Sequence, residues 1–166
     1  MTILPIPQNF KVKNGFFYFD RDRKVILNAN LNIQSYEDAK FFVSRVEEET
    51  GVRLGILKGK SQRFTGVHLE RNEHLRNQAY TLSIDEKGAH IEANSECGFH
   101  YGLMTLLQLI KKHGLKVPFV DIQDEPHFLH RGFYHDVTRG KVPKKETLFE
   151  LIDVLSEYKI NELQLY

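Results

Sequence analysis

The fold of this chain is decided by residues 80–113, which read YTLSIDEKGAHIEANSECGFHYGLMTLLQLIKKH. Apolar and polar residues alternate from Tyr80 to Ile84 and again from Ala89 to Ala93, the period of a strand with one buried face. Between these two runs, Asp85 to Gly88 has the composition of a tight turn. The segment therefore predicts a β-hairpin, and a helix follows it closely.

That helix is predicted over residues 98–113, because apolar side chains recur there at helical spacing. They are Phe99, Leu103, Leu106, Leu107 and Ile110. Gly114 follows where a helix would end. Gly98 and Gly102 are four residues apart and share one side of the helix. Two small residues there indicate the close approach of another backbone, which we expect to be that of the sheet.

Another helix is predicted upstream, over residues 35–49, with Ser35 as its cap, Asp38 in capping-box spacing and Gly51 at its end. Its apolar stripe is interpreted as core rather than as a ligand site, and consists of Ala39, Phe42, Val43 and Val46. Asn14-Gly15 is a turn signal. Short strands are predicted at residues 16–19, 24–28, 52–57 and 66–70.

These elements predict an α+β domain over residues 1–125, with a largely antiparallel sheet and two helices. Antiparallel pairing is expected because strands and helices do not alternate in a β-α-β rhythm. Residues 117–126 contain Pro118 and Pro126 and are interpreted as a connector.

Beyond the connector the pattern changes. A strand is predicted at residues 131–137, a helix with Pro143 in its first turn ends near Tyr158, and another strand is predicted at 160–166. Such a β-α-β unit should have parallel strands. A parallel unit belongs to a different architecture, so we place a separate domain at residues 126–166.

The charge balance excludes several classes of partner. Lysine plus arginine number 23 and aspartate plus glutamate 22, so no strong field favours nucleic acid or an anionic membrane.

No apolar run approaches the roughly 18 residues of a membrane span. The N-terminus, MTILPIPQNF, lacks the pattern of a signal peptide, and Cys97 is the single cysteine. A cytoplasmic location is therefore expected.

The histidines do not form a metal motif in the sequence. The zinc-protease string His-Glu-x-x-His is absent, so neither a metal nor another cofactor is expected. His68, His74, His90 and His113 are scattered, and each is interpreted as a surface or satisfied core histidine.

Three stretches resemble the motifs of one enzyme family. The first is the hairpin, and the second is Gly98 to Ile110, which is similar to the family's Gly-x-x-x-Gly-x-x-Thr-Leu-x-Gln-Leu helix. The third joins Asp124-Glu-Pro126, Arg131-Gly-Phe-Tyr-His-Asp-Val-Thr-Arg139 and Lys159-Ile-Asn161. These are similar to the family's Asp-x-Pro, Arg-Gly-x-x-x-Asp-x-Ser-Arg and Lys-x-Asn motifs. The chain thus resembles the front end of glycoside hydrolase family 20, the β-N-acetylhexosaminidases.

The resemblance implies a non-catalytic, zincin-like α+β domain at residues 1–125, and at 126–166 the incomplete β-α-β start of a (β/α)₈ barrel. The family removes terminal N-acetylhexosamine from glycans with retention, and the substrate's own N-acetyl oxygen attacks the anomeric carbon. A glycan carrying this sugar is therefore the expected partner of the parent enzyme. In the family, an Asp-Glu pair after the fourth barrel strand holds the acetamide and acts as general acid.

Two Asp-Glu pairs occur in this sequence, Asp85-Glu86 and Asp124-Glu125, and neither follows a predicted barrel strand. No catalytic residue is therefore expected in the chain, which alone should be inactive.

By resemblance, Arg131 binds sugar hydroxyls, a task that suits the planar guanidinium fork. The alternative is a structural arginine that pairs with a barrel carboxylate. Asp136 and Arg139 are candidate pocket residues, although an ion pair between them is the favoured interpretation. Departures from the family pattern at His135, Thr138 and Gly140 leave the subfamily and substrate open.

Two further functions stay open at this point. The chain could act by itself as a non-catalytic scaffold or interaction module, or it could be the front domain of a family 84-type glycosidase. Self-association through the barrel segment is a further expectation, because an incomplete β-α-β unit leaves strand edges and apolar surface uncovered.

Overall fold

The structure, a computed structural model, describes residues 3–59 and 64–166. Its contacts divide the chain into two units, residues 1–125 and 126–166. The first unit contains two helices and seven strands within the described residues. In chain order they are β1 (Asn9–Tyr18), β2 (Lys24–Leu27), α1 (Ile33–Thr50), β3 (Gly55–Lys58), β4 (Gly66–Arg71), β5 (Tyr80–Asp85), β6 (Gly88–Ala93), α2 (Glu96–His113) and β7 (Lys116–Asp124).

The seven strands form one mixed sheet in the order β1-β7-β5-β6-β4-β2-β3. The predicted hairpin is confirmed: β5 and β6 pair antiparallel, with Asp85 opposite Gly88. The expectation of a largely antiparallel sheet is wrong, because β2 pairs in parallel with both β3 and β4, and β4 pairs in parallel with β6. The physical reason is α1, which carries the chain back along the sheet so that β3 starts level with β2, as in any β-α-β crossover.

The predicted connector is also corrected, because residues 116–124 form β7, which lies inside the sheet between β1 and β5. Val120 and Ile122 are buried while Asp121 and Gln123 are exposed, as the period of a strand requires. Pro118 is tolerated because the pairing with β5 reaches only to Val120, so the proline lies where the strand has β1 as its neighbour on one side.

The turn predicted at Asn14-Gly15 is instead an irregularity within β1. The pairing with β7 shifts register between Val12 and Phe16, and the strand continues on both sides. Gly15 has a φ of +118°, and the ring of Phe119 occupies the space that a Cβ at this position would need. A glycine is therefore required there to let the strand bulge rather than to reverse the chain.

Both helices end as predicted, at Gly51 and Gly114, but α1 starts earlier than expected. Asn32 is its cap and accepts a hydrogen bond from the Ser35 backbone N–H at 3.2 Å. Ser35 itself is buried in the first turn, and its hydroxyl has no hydrogen-bond partner among the described residues. The stripe that includes Phe42 lies in the hydrophobic core, as predicted.

The predicted close approach of another backbone is confirmed at Gly98, whereas at Gly102 the close neighbours are side chains of the sheet. A Cβ on Gly98 would lie 2.5 Å from the carbonyl oxygen of Ala79 and 2.8 Å from the Cβ of Ala93. A Cβ on Gly102 would lie 2.6 Å from Cγ2 of Ile91. The helix therefore lies directly against the sheet at these two residues.

Replacing Gly98 with alanine should destabilise the first unit by about 1–2 kcal/mol. On an exposed helix the change would stabilise the protein by about 1 kcal/mol, because alanine has a higher helix propensity than glycine. Here, however, the new methyl group meets a backbone carbonyl that cannot move aside. Urea unfolding of the variant measures the difference. Ser44→Ala, on the exposed side of α1, is the control and should change stability by less than about 0.5 kcal/mol. A gain in stability for Gly98→Ala would contradict the close contact.

The second unit contains β8 (Gly132–His135), α3 (Lys145–Glu157) and β9 (Glu162–Leu165), and its two strands pair in parallel. Much of its apolar surface is exposed. The exposed large side chains are Phe128, Leu129, Phe133, Tyr134, Val142, Phe149, Ile152, Val154, Tyr158, Leu165 and Tyr166. In the described part of the chain, none of the helices combines the length and the apolar character that crossing a membrane requires.

Candidate functional site

Arg131 lies immediately before β8, and its guanidinium group contacts backbone carbonyls. Its Nε donates to the carbonyl oxygen of Lys159 at 2.9 Å, and Nη1 donates to that of Phe128 at 2.6 Å and, more weakly, to that of Leu129 at 3.4 Å. These bonds tie the segment before β8 to the turn before β9. Carbonyl groups from two segments of the chain therefore hold the guanidinium in one place.

Asn161 is the second half of this arrangement, and the sequence alone did not indicate a role for it. Its Oδ1 accepts a hydrogen bond from the Arg131 backbone N–H at 2.8 Å, while its Nδ2 donates to the carbonyl of Leu129 at 2.7 Å. Arg131 and Asn161 thus belong to two different sequence motifs that meet in space. Their shared contact with Leu129 could not be derived from their spacing of 30 residues.

Asp136 and Arg139 lie beyond the other end of β8. They form the ion pair that their spacing favours, with Arg139 Nε 2.6 Å from Asp136 Oδ2. Asp136 Oδ1 also accepts bonds from the backbone N–H groups of Thr138 and Arg139 at 2.9 and 3.1 Å. The backbone N–H of Thr138, followed by the side chain of Arg139, lowers the pKa of Asp136, so this carboxylate stays charged.

These residues do not meet Arg131 in one site, because they lie at opposite ends of the strand. The end with Asp136 is also the carboxyl end of β9, where Tyr166 donates a backbone hydrogen bond to His135 at 3.0 Å. The Arg139 guanidinium lies 5.3 Å from the centre of the Tyr166 ring. In a (β/α)₈ barrel the reacting groups are carried at the carboxyl ends of the strands. The carboxyl edge of the second unit's sheet therefore carries Asp136, Arg139 and Tyr166.

Both Asp-Glu pairs have local structural partners in the first unit. Asp85 accepts a hydrogen bond from the Lys87 backbone N–H at 2.8 Å inside the hairpin turn. Asp124 accepts a bond from the hydroxyl of Tyr80 at 3.0 Å, and Glu125 forms an ion pair with Arg76 at 3.2 Å. Burial, reinforced by the charge of Asp124, raises the pKa of Tyr80 well above its ordinary value, so its hydroxyl remains a donor. These contacts give both pairs structural roles within the first unit.

A separate cluster lies on the sheet and was not apparent from the sequence. His68 on β4 is directly opposite His90 on β6, and their rings stack with centroids 4.9 Å apart. A cavity of about 520 Å³ opens over both rings and is also lined by Phe64, Glu70 and Lys87. The sequence did offer one signal of this cluster, the repeated pattern His68-Leu-Glu70 and His90-Ile-Glu92. Its two halves are aligned only by the parallel register of β4 and β6.

Burial lowers the pKa of His68, and the neighbouring His90 lowers it further, against the opposing effects of Glu70 and the Phe64 backbone. The His68 imidazole is therefore neutral near pH 7. Across the described residues 3–59 and 64–166, no group of three or more His, Cys, Asp or Glu side chains is arranged to hold a metal ion.

Comparison with known proteins finds similar sequences and similar structures that agree with one another. Residues 1–125 match the family model described as glycosyl hydrolase family 20, domain 2. A β-hexosaminidase of Vibrio furnissii is 41% identical over 97 residues, which are 57% of this chain and 16% of that protein. A β-hexosaminidase of Porphyromonas gingivalis is 27% identical, over 97% of this chain and 22% of its own length.

Among solved structures, a family 20 exo-β-N-acetylglucosaminidase of Vibrio harveyi, determined with N-acetylglucosamine, has the same fold over 99% of this chain. The TM-score is 0.85 and the sequence identity 26%, and the match covers 25% of that chain. The present chain thus spans 16% to 25% of the length of these three proteins.

Proposed function

The chain belongs to glycosyl hydrolase family 20, and on that ground we propose that it is the front part of a β-N-acetylhexosaminidase, an enzyme that removes terminal N-acetylhexosamine from glycans. In this proposal residues 1–125 are a non-catalytic, zincin-like domain. Residues 126–166 provide the first two strands and the intervening helix of the catalytic (β/α)₈ barrel.

One observation carries the proposal above the others. The likeness to the Vibrio harveyi enzyme extends over 99% of the chain, so it includes the second unit as well as the domain that the family model matches. The second unit has the parallel β-α-β order that begins a (β/α)₈ barrel. Its exposed apolar helix and strands are what such a beginning requires, because further barrel elements would cover them.

The proposed chemistry assigns different tasks to different parts of the parent enzyme. The acetamide oxygen of the substrate attacks the anomeric carbon, and a glutamic acid protonates the departing oxygen, while a neighbouring aspartate orients the acetamide. The present chain would contribute binding rather than proton transfer. Arg131 is proposed to donate to sugar hydroxyls. Asp136 and Arg139, at the opposite end of β8, are proposed to line the carboxyl edge of the barrel separately from it.

The proposal is tested with the longest reading frame that contains this chain. That protein should hydrolyse p-nitrophenyl N-acetyl-β-D-glucosaminide and release the β-anomer of N-acetylglucosamine first, as retention requires. A reading frame that lacks an Asp-Glu pair after a fourth barrel strand, or a purified protein that lacks the activity, would refute the assignment.

In the parent enzyme, Arg131→Ala should weaken binding of an N-acetylhexosamine-type inhibitor by about 1.5–3 kcal/mol, the cost of losing a charged hydrogen-bond donor. Because its guanidinium also binds carbonyls of Phe128 and Lys159, some loss of stability is expected as well. Isothermal titration gives the affinity, and thermal unfolding gives the stability.

Asn161→Ala is the matched control for this experiment. It removes hydrogen bonds from the same arrangement without removing a donor that the proposal places on the sugar. We expect it to lower stability while leaving inhibitor affinity nearly unchanged. If both variants lose affinity equally, Arg131 acts by positioning the chain and does not bind the substrate.

A further inference from the structure

The cavity over His68 and His90 lies on a face of the first unit's sheet that the proposed hydrolysis does not use. We propose that this cavity is a second, non-catalytic binding site for a neutral saccharide, with the ring of Phe64 and the two stacked imidazoles as its walls. The choice of a saccharide among neutral polar ligands rests on the proposed function, since a hexosaminidase handles glycans. The site itself lies within residues 1–125 and shares no residue with the carboxyl edge of the second unit.

The register of the sheet places the cavity on the face away from the helices. Val67 and Leu69 belong to the hydrophobic core, so His68 and Glu70, which alternate with them along β4, project from the opposite face. His90 is opposite His68 in the register and projects from that same face. Both helices contribute their buried side chains to the core, so neither of them covers the cavity.

The size and the apolar surfaces of the cavity suit a sugar ring. Its volume of about 520 Å³ lies within the roughly 300–1,000 Å³ that small-molecule sites commonly have. Phe64 borders the cavity and is 43% exposed, and the two imidazoles stack with their ring planes inclined by 14°. A pyranose has C–H groups on its faces and hydroxyls around its edge, so it matches flat rings that are flanked by polar groups.

The polar groups of the cavity provide both kinds of hydrogen-bonding partner. Asn28 is half-buried at its border, while Glu70 and Lys87 are exposed there. An amide donates and accepts, a carboxylate accepts, and an ammonium group donates. The hydroxyls and the acetamide of a sugar would therefore find donors and acceptors around the apolar walls.

The charges of the lining favour a neutral ligand over an anion. Glu70 and Lys87 carry opposite charges at the border of the cavity. Burial lowers the pKa of His68, and the neighbouring His90 lowers it further, so the His68 imidazole adds no positive charge near pH 7. A phosphate or a carboxylate in the cavity would meet the like charge of Glu70, whereas a neutral sugar would not.

The test is a ¹H–¹⁵N NMR titration of the 166-residue chain with N,N′-diacetylchitobiose, a neutral disaccharide of N-acetylglucosamine. We expect saturable shifts at the amides of Phe64, His68 and His90. Phe64→Ala and Lys87→Met should each weaken binding about 2- to 10-fold, the usual effect of losing one ring contact or one hydrogen bond. Phe10→Ala is the matched control, because Phe10 is 45% exposed and does not border the cavity.

If Phe64→Ala does not fold, Lys87→Met decides the question, because an exposed turn residue can be replaced with little effect on stability. Equal affinity of the variants and the unchanged chain, or shifts confined to the neighbourhood of Arg131, would overturn the proposal. A parallel titration with sodium phosphate should leave the cavity amides unshifted, and tighter binding of phosphate than of the disaccharide would show an anion site instead.

Hydrolysis by the parent enzyme is measured separately from this binding. An active parent whose first unit binds no disaccharide at the cavity would overturn this inference alone. An inactive parent would refute the proposed function whatever the titration shows.

Discussion

The purified 166-residue chain should hydrolyse p-nitrophenyl N-acetyl-β-D-glucosaminide no faster than buffer does. The reaction needs a general acid, worth about 10²–10⁴-fold by itself, and a carboxylate that orients the acetamide. Neither Asp-Glu pair of the chain can supply them, because Asp85 is bound within a hairpin turn and Asp124 accepts a hydrogen bond from the hydroxyl of Tyr80. Both pairs also belong to the first unit rather than to the β-α-β unit.

The measurement requires a control against traces of host enzyme. A double variant, Asp124→Asn with Glu125→Gln, should have the same baseline rate as the unchanged chain after identical purification, and an active family 20 enzyme should verify the assay. Turnover that persists through repurification and disappears in the double variant would show that this pair is catalytic after all.

Removing residues 126–166 should convert a self-associating chain into a monomer. The first unit has a hydrophobic core of its own, to which both helices and the strands contribute. The second unit exposes Phe149, Ile152 and Val154 on α3, and it has a two-stranded sheet with unpaired edges within the described residues. Exposed apolar surface and open edges favour association. Sedimentation velocity over a range of concentrations measures the change.

The association should depend on the second unit in particular. Ile152→Lys in the 166-residue chain should weaken it, whereas Val12→Lys, at a similarly exposed position on β1, should not. Residues 1–125 alone should retain cooperative thermal unfolding. The boundary would be misplaced if that shorter protein unfolded without cooperativity, or if amides of residues 130–166 in a monomeric sample exchanged as slowly as those of α2.

The sequence predicts local elements well because their signals are local. The hairpin of β5 and β6 and the glycine ends of both long helices follow from alternation and backbone preference at particular residues. The contact of Gly98 with the sheet was also predictable, because two glycines at helical spacing weaken a helix unless a neighbouring backbone packs against them. The family was recognisable from motifs spread over the same region.

The directions of the strands and the order in which they pair were harder to predict from the sequence. Nothing local distinguishes β2, β3 and β4 as parallel partners, because direction depends on where α1 returns the chain. Residues 116–124 alternate as a strand should, yet Pro118 suggested a connector, and only the position of β5 explains why the proline is tolerated.

How far the candidate sites could be predicted from the sequence was limited by non-local contacts of the same kind. The ion pair of Asp136 and Arg139 lies within one loop and followed from spacing. The contact of Arg131 with Asn161 and the stacking of His68 on His90 both depend on the register of parallel strands, which no motif encodes.

The place of β1 in the sheet has a consequence for how the protein is made. Within the described residues β1 pairs with β7 alone, and Gln8 is bonded to Asp124 across 116 residues of chain. During synthesis the first strand therefore remains without its neighbour until β7 leaves the ribosome. Its backbone edge and the ring of Phe17, which is buried in the folded unit, stay uncovered throughout that interval, and exposed apolar surface of this kind makes a chain prone to aggregate during synthesis. The pairing of β1 with β7 thus joins the beginning of the first unit to its end, and it cannot form until residues 116–124 have been synthesised.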